Sequence, residues 1–183
     1  MEIEVKNTGQ TFRCELIRYP KEEDWLDCKV RTLVTIGLNT VKTTPNDNWK
    51  GKMLLARHSP IRDLRIGYYL EIPYWVSTHL VRHHIGVEKY VQTQRNDRQT
   101  KYDRHNARQG EMVKMIMDFN GESIQTFMHK RLCNQASEET RIIANMMKEC
   151  LLEKCPEFAD MLVPACAYNN GVCREIYPCN GKE

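Results

Sequence analysis

The stretch Asp63-Leu64-Arg65-Ile66-Gly67-Tyr68-Tyr69-Leu70-Glu71-Ile72 alternates strictly, with Leu64, Ile66, Tyr68, Leu70 and Ile72 on one side and Arg65, Tyr69 and Glu71 on the other. Successive side chains of a strand point to opposite faces, so this is a strand with one face in the core. Thr11 to Ile17 repeats the pattern, with Phe12, Cys14 and Leu16 opposed to Arg13 and Glu15, and reads as a half-buried strand. Pro73 follows the first strand directly, and its fixed φ suits the first turn of a helix. The buried stripe of that helix is expected to be Trp75, Val76, Leu80 and Val81, which leaves His79, Arg82 and His83 close together at spacings of three and four.

Outward from this unit the chain alternates between helical and irregular segments. Glu22 to about Leu38 reads as a helix, although Val30, Leu33, Val34, Ile36 and the threonines also suit a strand. Thr43 to Asn48, with Pro45, is a loop, and Trp49 to Arg57 is helical until His58-Ser59-Pro60 ends it. Ser59 precedes proline and is expected to be extended. His84 to about Arg108 is mostly polar and irregular. Gln109 to about Phe119 is expected to be a helix carrying Met112, Met115, Ile116 and Phe119, and Ile124, Phe127 and Met128 resume the stripe after Asn120-Gly121. A last helix is expected from Asn134, a possible N-cap, with Ala136, Ile142, Ile143, Met146, Met147, Cys150 and Leu151 facing inward. The short link Leu132 to Asn134 predicts that these last helices pack as an antiparallel pair.

With 183 residues, 41% of them hydrophobic and 28% charged, the chain has the size and balance of one soluble domain. Residues 1–160 are expected to form it, with 161–183 as a cysteine-containing tail. No basic segment leads into an apolar one at the N-terminus, and no apolar run is long enough to span a membrane, so a cytoplasmic location is expected. Of the eight cysteines, Cys14, Cys28 and Cys133 lie on or beside apolar stretches and read as small buried hydrophobes. The spacing of Cys166, Cys173 and Cys179 does not match the short paired spacing of a zinc site, so the tail is expected to pack against the domain without metal.

A net charge of +3 is too small to argue for nucleic acid, but the basic residues are clustered. Thr78-His79-Leu80-Val81-Arg82-His83-His84 is followed by Lys89, Arg95, Arg98, Lys101, Arg104 and Arg108, and a second cluster runs from Arg131 to Arg141. Two basic interruptions of packed helices suggest one shared site for a ligand that is anionic, aromatic or both. His79 and His83, four apart, could face a metal together, but no glutamate lies between them and no third ligand is evident. The reading as a polar helix edge is preferred.

At Arg82-His83-His84 the chain resembles the flavin-dependent thymidylate synthases, whose Arg-His-Arg motif follows a segment like Leu70-Glu71-Ile72-Pro73. His58-Ser59-Pro60 is similar to the family's His-Ser/Thr-Pro motif. Arg131-Leu132, Ala136, Glu139 and Arg141 resemble its closing pattern, and Glu153-Lys154-Cys155-Pro156 fits the helix end that follows. These motifs cover roughly half of the chain in the family's order. His84 stands where the family has its second arginine, and His79 stands in place of a glutamine. Gln92 falls at the family's serine by direct counting, whereas one inserted residue places Thr93 and Arg95 on Ser-x-Arg; the second alignment is preferred because it accounts for Arg95. Asn120-Gly121-Glu122-Ser123 corresponds to Asn-Ala-Arg-Ser, so Glu122 occupies a phosphate-handling position, with Arg108 as a possible substitute charge.

The resemblance implies an α+β fold, a mostly antiparallel sheet packed with helices, in a homotetramer whose subunits share active sites. It implies FAD bordered by Ser59, Arg82, His83, His84 and the helix from Asn134, with NADPH and methylenetetrahydrofolate as cosubstrates. The implied reaction is reductive methylation of dUMP to dTMP. Arg82, Thr93 and Arg141 would be catalytic, and His79, Gln92, Thr93, Arg95, Arg108 and Arg141 would contact the nucleotide. The region between the two arginine clusters is shorter than in the usual family member, so a partner subunit could supply part of the substrate roof. Two alternatives remain open: a related flavin- and folate-dependent modification of another pyrimidine nucleotide, and a noncatalytic nucleotide- or nucleic-acid-binding homologue.

Overall fold

A computed structural model of the chain describes residues 1–38, 43–95, 97–98, 103 and 105–179. Strands β1 (Glu2–Asn7), β2 (Gln10–Arg18), β3 (Arg65–Pro73), β4 (Val87–Val91) and β5 (Met112–Asn120) form one antiparallel sheet in the order β1-β2-β3-β5-β4. Among the described residues six α-helices accompany it: α1 (Glu22–Thr35), α2 (Asp47–Leu55), α3 (Tyr74–Leu80), α4 (Gly121–Arg131), α5 (Glu138–Lys154) and the single turn α6 (Ala165–Tyr168). The architecture is α+β, an antiparallel five-stranded sheet packed against helices.

The decisive strand behaves as its alternation predicts. Leu64, Ile66, Tyr68, Leu70 and Ile72 are all fully buried, whereas Tyr69 and Glu71 face the more open side. There Tyr69 Oη donates to Glu71 at 2.6 Å. On the core side, Tyr68 Oη donates to the Met147 carbonyl of α5 at 3.0 Å, which satisfies a hydroxyl that burial would otherwise penalise. Helix α5 lies mainly on β2 and β1 and only touches α4, so the sheet rather than a helical partner receives its apolar face. Met161 and Leu162, at the start of the expected tail, are fully buried in the same core.

Several expectations need correction. Gln109 to Phe119 is not helical: Met112–Asn120 is β5, paired along its whole length with β3 from Pro73↔Met112 to Arg65↔Asn120. Val113, Met115, Met117 and Phe119 point into the core, a period of two that the methionines at 112 and 115 concealed behind a helical spacing. The polar segment after His84 contains edge strand β4, paired with β5 from Val87↔Phe119 to Val91↔Met115. Helix α5 begins after Ser137, whose hydroxyl bonds Thr140 at 2.8 Å, and Asn134 lies in the turn before it. Ser59 opens a 3-10 turn, Ser59–Asp63, and the extended residue is His58. The bias before proline yields there because the Ile61 amide donates to the His58 carbonyl at 3.1 Å while Ile61 is fully buried. Pro73 ends β3 and precedes α3 instead of sitting in its first turn. In α3 the buried residues are Val76, Ser77 and Leu80; Trp75 is half-buried and Val81 is exposed.

Candidate functional site

The site is organised by where α3 ends. Leu80 anchors the helix in the core, and the chain leaves as Val81-Arg82-His83-His84-Ile85-Gly86 along the side of α4 before entering β4. Two contacts hold this connection to α4. The His83 ring meets the Phe127 ring edge-on at 4.9 Å, and Ser123 Oγ donates to the Gly86 carbonyl at 2.8 Å. Gly86 has φ +69, and a Cβ there would meet Asn120 Nδ2 at 2.6 Å, so glycine is what lets the chain pass so close to the helix.

Arg131, in the last turn of α4, closes the arrangement. Its Nε donates to His83 Nε2 at 2.7 Å and its Nη2 donates to the His79 carbonyl at 2.9 Å. Burial, then the nearby charge of Arg82, pulls the Arg131 guanidinium below its ordinary value. Burial, followed by Arg131, Lys89 and His84, pushes His83 down to about 4. His83 is therefore neutral near pH 7, and because Nε2 accepts from Arg131, its proton resides on Nδ1. Lys89 Nζ donates to the His83 carbonyl at 2.5 Å, and His84 Nδ1 lies 3.0 Å from the Arg82 carbonyl. The His79 ring packs edge-on against Trp75 at 5.6 Å. With His83 Nε2 engaged by Arg131, the two histidines are not a ligand pair. Among the described residues, no group of three or more His, Cys, Asp or Glu side chains stands ready to hold a metal ion.

Arg82, His83, His84, Arg131, Lys89 and the His79 carbonyl thus form one basic cluster. Arg141 is held apart from these contacts, in the turn and helix after α4, where its Nη1 donates to Asn134 Oδ1 at 3.1 Å. Asn134 follows Arg131 by three residues, which limits their separation to about 11 Å. Gln92, Val91, Gln94 and Arg95 line a groove of about 330 Å³ with Thr78 of α3 and Val81 just after it. Gln92 extends the β4–β5 ladder, its amide donating to the Lys114 carbonyl at 2.8 Å and its Oε1 accepting from the Lys114 amide at 3.1 Å. Thr93 Oγ1 accepts from the Arg95 amide at 3.3 Å. The Arg95 guanidinium already holds Asp97 through two bonds of 2.9 and 2.7 Å, so an anionic ligand there would have to displace a carboxylate. Lys101 and Arg104 lie outside the described residues.

Two assigned residues lie elsewhere. Ser59 is in the 3-10 turn that packs on the first turn of α4, where the Ile61 carbonyl meets Gly121, at the end of that helix away from Arg131. Arg108 occupies a turn beside Gln10, at the start of β5, whereas Glu122 follows the end of β5. A nine-residue strand separates them by roughly 27 Å, so Arg108 does not substitute for a charge at Glu122. Arg57 and Arg62 meet the Glu122 carboxylate instead, Arg57 at 3.4 Å. The surrounding Asn-Gly-Glu-Ser is a helix-start motif. Asn120 Oδ1 accepts from the Glu122 and Ser123 amides at 3.0 and 2.8 Å, and Ser123 Oγ accepts from the Asn120 amide at 2.9 Å. A Cβ on Gly121 would lie 2.6 Å from the Ile61 carbonyl oxygen, so the alanine of the related pattern has no room here.

The position of Arg131 had a sequence signal, since His129-Lys130-Arg131 is a run of three basic residues closing a helix, where cations complement the macrodipole. Comparison with protein-family models and with curated proteins finds no match.

Proposed function

We propose that this chain carries out reductive methylation of dUMP to dTMP with FAD, NADPH and methylenetetrahydrofolate, at a site shared between subunits. The observation that carries the reading is the bond from Arg131 to His83, because it joins the two separate arginine-bearing segments that resemble the family's motifs. The cluster fits the ligands by charge and surface. Its arginines match phosphate and polarisable ring carbonyls, and exposed Val81 and Ile85 offer apolar surface to a flat ring. The groove of about 330 Å³ lined by Val81 and Arg95 adjoins Arg82 in sequence but is lined by none of the cluster's own arginines, so in this reading a second copy completes the site.

Reduced flavin would supply the hydride that completes the methyl group. In this reading Arg82 polarises a uracil carbonyl, and Arg141, oriented by Asn134, binds the phosphate. Neutral His83 positions Arg131 without adding a second proton to the cluster. The Arg57 and Arg62 contacts of Glu122 offset the carboxylate that would otherwise repel a nucleotide anion.

Anaerobic incubation of the full chain with NADPH, FAD, methylenetetrahydrofolate and labelled dUMP tests this reading. Labelled dTMP, lost in Arg82→Ala, is the expected result. Absence of product together with failure to retain flavin overturns it. Salt-sensitive binding of mixed single-stranded nucleic acid without dUMP or FAD binding would instead identify a noncatalytic homologue.

A further inference from the structure

The eight cysteines, all free, divide into two groups. Cys14, Cys28, Cys150 and Cys155 are buried core residues. Cys133, Cys166, Cys173 and Cys179 are each partly accessible, and all four line one cavity of about 220 Å³. A cysteine retained for packing alone belongs with the first group. Four accessible thiols converging from positions up to 46 residues apart need another explanation.

The local fold shows how they converge. Cys133 lies in the link between α4 and α5, where it had been expected as a buried hydrophobe. Cys166 is on α6, and Asn170 and Gly171, with φ +53 and +85, turn the chain back so that the Gly171 amide donates to the Cys166 carbonyl at 2.8 Å. This turn brings Cys173 to the cavity. Lys130 Nζ then pairs with Glu175 at 2.8 Å, and Gln135 Nε2 donates to the Tyr177 carbonyl at 3.0 Å, drawing the tail across the link with Cys179. Spacing within the tail conceals the set because its fourth member comes from another element.

We propose that Cys133, Cys166, Cys173 and Cys179 bind one zinc ion that clasps the tail to the α4–α5 link. Four sulfur ligands satisfy the tetrahedral preference of a closed zinc site. Binding is Zn²⁺ + 4 RSH → [Zn(SR)₄]²⁻ + 4 H⁺, with no redox change, and Arg174 on the cavity wall offsets part of the negative charge, Lys130 there being paired with Glu175. Among the described residues no three such side chains stand close enough together to hold a metal ion, so binding requires the four thiols to close on it. Residues 172–179 contain no helix or strand, so they can draw inward without breaking regular structure.

The test uses the full chain, with readouts independent of catalysis. Metal analysis after purification should give one zinc per chain, and cobalt substituted for it should show the absorption of a four-thiolate tetrahedral site. Cys173→Ser and Cys179→Ser should each lower zinc affinity at least tenfold while circular dichroism shows the core intact. In the unsubstituted protein, chelation should expose four additional thiols to a thiol reagent. The proposal is overturned if zinc neither binds nor protects those thiols, if cobalt shows fewer sulfur ligands, or if the cysteines hold an iron–sulfur cluster instead.

Discussion

Arg131 binds His83 side chain to side chain, Nε to Nε2 at 2.7 Å, across 48 positions of sequence. The same guanidinium reaches the His79 carbonyl, so one residue fixes both the end of α3 and the turn that follows it. Arg131→Met should lower stability by about 1–3 kcal/mol, because it leaves a half-buried ring nitrogen and a carbonyl without their donor. Arg131→Lys should recover only part of that loss, since an ammonium does not reproduce the planar fork. Chemical denaturation of the three proteins measures both effects.

The depressed His83 gives stability a definite pH dependence. In the unfolded chain the ring takes up a proton near its ordinary 6.5, whereas in the folded chain it does so only near 4. Between these values the unfolded state holds more protons, so this contribution is fully present above pH 6.5 and is lost as pH falls toward 4. His83→Gln should flatten the stability profile across that window. An unchanged slope would assign it to other groups.

Gly121→Ala should destabilise by about 1–3 kcal/mol, because the new methyl group would meet backbone at Ile61. The thermal midpoint should fall while the helix signal at low temperature is preserved.

Gln125 is fully buried, and its amide oxygen and nitrogen have no hydrogen-bond partner among the described residues. Gln125→Met keeps the volume and removes both orphaned polar atoms, so it should raise stability by about 1–2 kcal/mol. A lower midpoint would show that the amide has a partner in solution.

Ile85 is 83% exposed beside the basic cluster, and Tyr90 on edge strand β4 is 62% exposed. If a second copy completes the site there, Ile85→Asp should shift sedimentation toward smaller species without lowering the helix content. An unchanged sedimentation profile would place any subunit contact elsewhere.

The alternation in β3 was legible because every second residue from Leu64 to Ile72 is apolar and the intervening positions include Arg65 and Glu71. The sequence of β5 was ambiguous: Met112, Met115, Ile116 and Phe119 match one face of a helix, while Val113, Met115, Met117 and Phe119 match one face of a strand. Pairing with β3 decides between them, and that is a nonlocal fact. For α5, Asn134 and Ser137 are both capping residue types, and local chemistry alone does not rank them. At the site, the proximity of His79, Arg82 and His83 followed from helical spacing. The partners of Glu122 did not, because Arg57 and Arg62 lie 65 and 60 positions away.

Gln92 and Lys114 face each other across the ladder, so the intervening chain departs from and returns to adjacent points on the sheet. Extra residues grafted into that excursion would leave its endpoints paired, and lengthening a closed loop raises its entropic cost only logarithmically. The length of that excursion can therefore change without moving the two strands that anchor it.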